Sequence, residues 1–308
     1  MKHERNALMI QTSKKGEYLE VHTPPNWNGL SIEALFKEHY HAPKKLIHSW
    51  RMNKDVFVNG KHVPWNTPLK IGDKILLPLF KYDGSLPKML DKEIKVLYED
   101  EHLLIVNKPA GLDTHPSNQD EHNSLLNAVA YHLLLQGEIC EVRHIHRLDK
   151  DTTGAIIFSK NAFVAALLQQ MLEERSIKRT YKALVHGRIR QKKGTINANI
   201  GRDRHHATRR RVSQNGQTAI THFKTLNYDQ TKNLTLVECT LETGRTHQIR
   251  VHFSHIGHPL AGDILYGGKP IYTRQALHAY KINMVHPITE VPLEVIAPFI
   301  DQPAIFIE

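Results

Sequence analysis

Side chains able to carry out a reaction are concentrated in three short stretches of this 308-residue chain. The first is His146-Arg147-Leu148-Asp149-Lys150-Asp151-Thr152-Thr153-Gly154, which runs directly into Ala155-Ile156-Ile157-Phe158. The apolar run needs burial, so the polar residues ahead of it stand at the entrance of a strand, where a cleft can be built. Asp149 is the candidate reactive carboxylate; its plainer roles are strand-edge capping or a surface ion pair. In extended backbone Asp149 and Asp151 would share a face, as a glycosidase pair does. Neighbouring ionised carboxylates raise one another's pKa, which hampers a group that has to stay charged, so Asp151 is read as structural. The second stretch is Leu241-Glu242-Thr243-Gly244-Arg245-Thr246-His247-Gln248-Ile249-Arg250, where a strand ends and a helix begins. Arg245 at that junction is held by rigid elements on both sides; phosphate contact is its plainer role. The third is Arg179-Thr180-Tyr181-Lys182-Ala183-Leu184-Val185. Tyr181 opens a strand there, a place where tyrosine is usually core with a wet hydroxyl. Among the 22 histidines, His252 and His255 lie three apart, with His258 just beyond. No His-Glu-x-x-His spacing occurs, and Gly257 and Pro259 put His258 in a turn, so no metal site is expected.

The elements that must position these residues follow from periodicity and caps. Ser31 can cap a short helix carrying Ile32, Leu35 and Phe36, and a second helical piece covers 43–50. A strand over 56–58 enters an Asn59-Gly60 turn, a strong hairpin signal, and 69–79, broken at Gly72-Asp73, supplies another strand. Residues 81–91, with Asp83-Gly84-Ser85 and Pro87, read as a linker between a unit at 1–80 and a larger one at 92–308. The larger unit opens with a hairpin over 96–98 and 103–106. A helix capped by Asn123 or Ser124 runs to 135 and ends at Gly137. Asn161 caps a long helix whose stripe of Phe163, Val164, Leu167, Leu168, Met171 and Leu172 is core. Strands are expected at 155–158, 181–185, 196–200, 219–223 and 234–241. Thr246 can cap a last helix with Ile249, Phe253 and Ile256 on one face, stopped by Gly257. Hairpin-length connections favour an α+β fold with a largely antiparallel sheet over a doubly wound one.

Charge points to a polyanionic partner. The net charge is +10 and the pI near 9.4. Residues 175–211 carry 13 Lys or Arg against one acid, Asp203, and the rest of the chain is close to neutral. A one-sign concentration of this kind fits phosphate neutralisation better than a solvated mixed face. Arg202, Arg204, Arg209, Arg210 and Arg211, with His205 and His206, form a basic loop between strands suited to grip, and Lys178, Arg179 and Lys182 join them as RNA-binding candidates. Two cysteines far apart, Cys140 and Cys239, exclude a disulfide framework and suit a reducing cytoplasm. The apolar run Ala7-Leu8-Met9-Ile10 is too short for a signal peptide and no stretch approaches a membrane span, so no membrane partner is expected, and a monomer is the simple default.

Residues 146–154 resemble the catalytic motif of RluA-type pseudouridine synthases, which isomerise uridine in RNA. The resemblance spans about 92–298 and includes, in order, 107–112, 146–154, 181–185, 244–252 and 257–263, with Thr153 where serine is common. An ordered series rarely arises by chance. The resemblance implies an α+β catalytic domain with a mixed, largely antiparallel sheet flanked by helices. It implies that Asp149 is the essential carboxylate, that Tyr181 lies against the target base and that Arg245 pairs with Asp149, keeping it ionised and oriented. It also implies that Arg147 fills the gap left by a flipped uridine, and that Leu277-His278-Ala279 and His286-Pro287 are structural. Attack on the sugar, attack on the base and removal of a sugar proton all stay open as routes for Asp149. Neither metal nor organic cofactor is implied. The two-helix, small-hairpin layout of the first unit resembles the alpha-L RNA-binding motif, a small α/β module whose basic residues here would be Lys44, Lys45, Arg51 and Lys54. The expected partner is structured RNA, ribosomal or transfer. A silent RNA-binding or ribosome-assembly factor on the same scaffold is the competing class, and retention of Asp149 and Arg245 argues against it; a metal-dependent nuclease is more distant.

Overall fold

The computed structural model describes residues 10–82, 84, 88–118 and 121–306. Ala7, Leu8 and Met9 of the amino-terminal apolar run, and Asp83, Ser85 and Pro87 of the expected linker, lie outside the described residues.

A small four-stranded antiparallel sheet comes first. Its strands are β1 (Thr12–Lys15), β2 (Tyr18–His22), β3 (Phe57–Val58) and β4 (Lys74–Leu77), in the order β1-β2-β4-β3. Two α-helices stand between β2 and β3, the first preceded by a 3-10 turn (Pro25–Trp27) and continued by a π-helical stretch (Leu35–His39). Helix α1 (Ile32–Ala34) is capped by Ser31, whose Oγ accepts from the Ala34 N–H at 3.1 Å, and α2 (Lys44–Met52) follows. The Asn59-Gly60 turn forms with both residues at positive φ, closed by a Val58–Lys61 bridge. Pairing across the turn stops at that one bridge, and the ladder of β3 is made with β4.

The second sheet has ten strands. In chain order they are β5 (Lys95–Glu99), β6 (Leu103–Lys108), β7 (Arg143–His144), β8 (Thr153–Ser159), β9 (Lys178–His186) and β10 (Lys193–Asn197), and then, after the separate β11 (Ile200–Arg202) and β12 (Arg210–Val212) hairpin, β13 (Ile220–Asp229), β14 (Leu234–Leu241), β15 (Leu277–Val285) and β16 (Pro292–Ile296). The path is β10-β13-β14-β9-β15-β8-β6-β5, with β16 on β15 and β7 on β8. Every pairing is antiparallel except β8 with β15. The fold is therefore α+β with a mostly antiparallel sheet. The strand expected at 196–200 divides, its first part becoming β10 and Ile200 starting β11.

The central strands are buried on both faces, which explains their unbroken apolar runs. Leu104, Val106, Ile156 and Phe158 pack with α3 (Leu125–Leu135) and α5 (Gln248–His255). Leu103, Ile105, Ala155 and Ile157 face the other way, onto α4 (Ala162–Glu173), whose amino terminus is capped by Asn161 through the Val164 N–H at 2.9 Å. Phe163 of α4 meets Phe36, Tyr40 and Trp50 of the first unit at ring separations of 6.3, 5.3 and 5.3 Å. Burying an aromatic ring of this kind contributes about 2–3 kcal/mol, so the small module is joined to the large sheet through a shared apolar core. Gly154 makes the parallel junction possible. Its φ is +113°, and a Cβ there would lie 2.3 Å from the Ala279 carbonyl oxygen on β15.

Candidate active site

Asp149 sits just ahead of β8, at the middle of the large sheet, in a segment clamped from three sides. Thr114 Oγ1 accepts from the Leu148 N–H at 3.1 Å and donates to the Leu148 carbonyl at 3.0 Å. The fully buried Lys108 donates from Nζ to the Lys150 carbonyl at 2.6 Å and to the Pro109 carbonyl at 2.9 Å. Buried Arg274 donates to the Asp151 carbonyl at 3.2 Å and to Thr153 Oγ1 at 2.9 Å, while Asp301 neutralises it. Burial lowers the Lys108 pKa to about 8 against the pull of Asp151, Asp113 and Asp149. Residues 149–152 form a turn, closed by the Thr152 N–H on the Asp149 carbonyl, so Asp149 and Asp151 are not a same-face pair on an extended strand. His278, expected to be structural, is fully buried between Thr153 and the Ala297 carbonyl.

The cleft in front of Asp149 has a volume of about 510 Å³, within the usual range for a site that takes a small-molecule-sized group. Asp149, Tyr181, Arg147, Arg179 and Arg245 all line it. Tyr181, on β9, is 4% exposed; burial raises its pKa, with the Asp149 charge acting the same way against a hydrogen bond and charge from Arg179. Arg179 Nε is buried without a hydrogen-bond acceptor among the described residues.

The expected pairing of Arg245 with Asp149 is corrected by the geometry. Arg245 Nε donates to the Thr218 carbonyl at 3.0 Å, and the residue is exposed at the cleft rim. The partner of Asp149 is Arg250, whose Nη1 donates to Oδ2 at 3.0 Å. The cause is the local chain path. Thr246 does not cap α5; the cap position belongs to His247, in left-handed conformation, and the Gln248 side chain ties the turn through Thr243 Oγ1, the Arg245 N–H and the Ile220 carbonyl. Arg245 is thereby left outside the helix, while Arg250 lies inside it, with a side chain only 8% exposed. Asp263, 1% exposed, takes Arg250 Nε at 2.7 Å and Nη2 at 2.9 Å, leaving Nη1 for Asp149. Burial works against the Arg250 charge, but hydrogen bonding to Asp263 and the charges of Asp149 and Asp263 outweigh it and push its pKa up. The Tyr266 ring covers the guanidinium at 5.0 Å. The sequence held a partial sign of this: Arg250 stands between Ile249 and Val251, and a buried arginine has to be paired with acids, but Asp149, Asp151, Glu242 and Asp263 all lay in the neighbouring motifs and only the fold selects among them. Ile256, expected on the buried face of that helix, is 37% exposed.

The RNA-binding candidates divide four ways. Arg147 and Arg179 stand in the cleft. Arg202, Arg204, Arg209, Arg210 and Arg211 lie on the β11–β12 hairpin, whose loop is exposed. Asp203 shapes that loop, its Oδ1 accepting from the His205 N–H and its own N–H donating to the Arg209 carbonyl. Lys178 and Lys182 alternate with Arg179 and Tyr181 along β9 and so project from the opposite face; Lys182 pairs with Glu238 at 2.9 Å and covers the Tyr280 ring, away from the cleft. In the small unit Lys44 and Lys45 are exposed at the start of α2, whereas Arg51 is held by Glu33 at 3.1 Å and stacks on Trp65. Two of the three histidines weighed as metal ligands are used otherwise: His252 bonds Thr221 and the Ala198 carbonyl, and His258 the His186 carbonyl. No cluster of three metal-ligating residues occurs among the described residues.

Comparison with known proteins shows the family. The family profile described as RNA pseudouridylate synthase matches residues 102–255, and the RluD ribosomal pseudouridine synthase N-terminal domain matches 19–75. The chain belongs to the RluA-type RNA pseudouridine synthases, and it is an isomerase that acts on RNA. It is 47% identical over 288 residues to the uncharacterized RNA pseudouridine synthase YhcT of Bacillus subtilis (strain 168), covering 93% of this chain and 95% of that protein. It is 42% identical over 281 residues to ribosomal large subunit pseudouridine synthase D of Nitrosomonas europaea, covering 87% and 81%. Human RNA pseudouridylate synthase domain containing 1 shares the fold with a TM-score of 0.57 at 26% identity, covering 72% of this chain and 89% of that one.

Proposed function

We propose that this chain converts uridine to pseudouridine in structured RNA with Asp149 as its reactive group, and that the target uridine is flipped into the cleft to reach it. The reaction exchanges a bond from ribose to N1 of uracil for a bond to C5. N1 ends with a proton and C5 loses one, so nothing is oxidised and no water is consumed. The balance closes with no metal or organic cofactor. What the chemistry needs is a carboxylate beside the sugar, a platform for the released base and a way of taking the nucleotide from its stack. The observation that carries this reading is the Asp149 carboxylate, held at 3.0 Å by Arg250 and opening on the same cleft as buried Tyr181. Tyr181 supplies the platform, and Arg147, exposed at the rim, can occupy the gap in the RNA. Arg245 contributes a phosphate contact. The ribosomal large subunit named for the relatives favours ribosomal over transfer RNA as substrate. Two widely separated cysteines, Cys140 and Cys239, suit a reducing cytoplasm, and a monomer is the default state.

Asp149→Asn tests the chemistry because it keeps the size of the side chain and deletes its charge. RNA binding is expected to stay within a few-fold of wild type while product formation falls at least about 10³-fold. Turnover at the wild-type rate would refute the assignment. Mapping pseudouridines in cells lacking the gene identifies the target.

A further inference from the structure

Three polar groups beside Asp149 form a chain that the reading above leaves without a task. The Arg210 backbone N–H, on β12 of the basic hairpin, donates to the Tyr266 hydroxyl at 2.9 Å. That hydroxyl lies 2.8 Å from His247 Nδ1. The other ring nitrogen, Nε2, stands 3.9 Å from Asp149 Oδ1, beyond hydrogen-bond length.

The direction of the protons follows from counting donors. A backbone N–H only donates, so the phenol oxygen accepts from Arg210 and has its own proton left to give. Tyr266 is 5% exposed, and a buried hydroxyl proton without an acceptor is costly. His247 Nδ1 is the acceptor in reach. In the neutral ring the proton then resides on Nε2 and faces Asp149. The carboxylate requires the same tautomer, since a bare nitrogen lone pair against its oxygen would be repelled. Burial keeps the ring toward its neutral form, lowering its pKa against the attraction of Asp149. His247 also holds φ at +59°, a conformation that L side chains rarely adopt and that persists where surrounding contacts impose it.

We propose that His247, fixed as its Nε2–H tautomer by Tyr266, is a positioning residue for Asp149. A small closure of the 3.9 Å gap brings Nε2–H onto Oδ1. Arg250 on Oδ2 and His247 on Oδ1 then hold the carboxylate at two points. This inference rests on the reading that Asp149 starts the reaction.

Imidazole nitrogen NMR of the full-length protein reads the tautomer directly. A bare Nδ1 and protonated Nε2 are expected for His247, with that preference weakened in Tyr266→Phe; a protonated Nδ1 in the wild type overturns the proposal. In single-turnover kinetics on substrate RNA, His247→Ala is expected to lower kcat about tenfold or more with KM within about twofold. His247→Gln, whose amide offers an N–H at similar reach, is expected to recover most of that loss. Wild-type kcat in His247→Ala, or equal losses in the two variants, overturns it. Asp149→Asn separates the two readings: if it is inactive while His247→Ala is normal, only the inference about His247 fails.

Discussion

Arginine 250 is shared between two acids, and that sharing sets what each of its nitrogens can do. Asp263 takes Nε and Nη2, so the one remaining edge, Nη1, is directed at Asp149. Lysine cannot reproduce this arrangement, because a single ammonium has no planar fork to satisfy one carboxylate twice while meeting another. Breaking a buried pair of this kind costs about 3–5 kcal/mol, which corresponds to a factor of about 10² or more if it is expressed in the transition state. Arg250→Lys is therefore expected to lower kcat at least about 10²-fold in single-turnover assays. Arg245→Ala, which removes a rim contact to the Thr218 carbonyl, is expected to raise KM and leave kcat within about threefold. Similar kcat losses in both would show that Arg245 reaches Asp149 once RNA is bound.

Among the elements, the β11–β12 hairpin and the start of α5 have separate duties joined at Tyr266. The hairpin exposes Arg204 and Arg209 on its loop and Arg202 and Arg211 on its strands, where each phosphate neutralised releases counterions. Its arginines act by charge and not by shape, so their removal is expected to weaken binding across sequences. Replacing Arg204 and Arg211 by alanine should make the slope of log K against log salt shallower by about one for each phosphate no longer neutralised, with kcat at saturation little changed. A binding assay over a salt series measures this; an unaltered slope would place the RNA elsewhere. Arg210 is excluded from that test because its backbone N–H is tied to Tyr266.

Across the molecule, many histidines are used as neutral packing groups, which makes the fold sensitive to acid. Burial lowers the pKa of His102 and of His278 to about 4, with Asp100 and the Ala297 carbonyl respectively opposing the shift, and it pushes His146 well below its ordinary value. Between about pH 4 and 6.5 the unfolded chain therefore binds more protons than the native one. Stability is full above about pH 6.5 and is lost as the pH falls toward 4, at up to about 1.4 kcal/mol per pH unit for each ring. Urea denaturation at pH 7 and at pH 5 checks the sign: the midpoint is expected to fall on acidification, and His278→Gln to reduce the fall. The same scale shows why α4 matters, since Phe163 near one end packs on the small module while Gln169, Leu172 and Glu173 near the other line the cleft. One helix thus spans the distance between the small module and the cleft.

The amino-acid sequence by itself determined the family, the α+β class and most elements, and it singled out Asp149, because these depend on local signals. Asn161 capped α4, Ser31 capped α1 and the strand at 234–241 formed with the bounds its apolar pattern indicated. Tertiary structure decided which arginine faces Asp149. Arg245 and Arg250 stand five residues apart in one motif, and their order along the chain does not say which lies inside the helix. The left-handed His247 and the Gln248 side chain decide that, through contacts with Ile220 and Thr221 on β13. The clamps on the aspartate turn had the same origin. Lys108, Thr114 and Arg274 reach it from distant parts of the chain, and only packing brings a buried cation to a particular carbonyl.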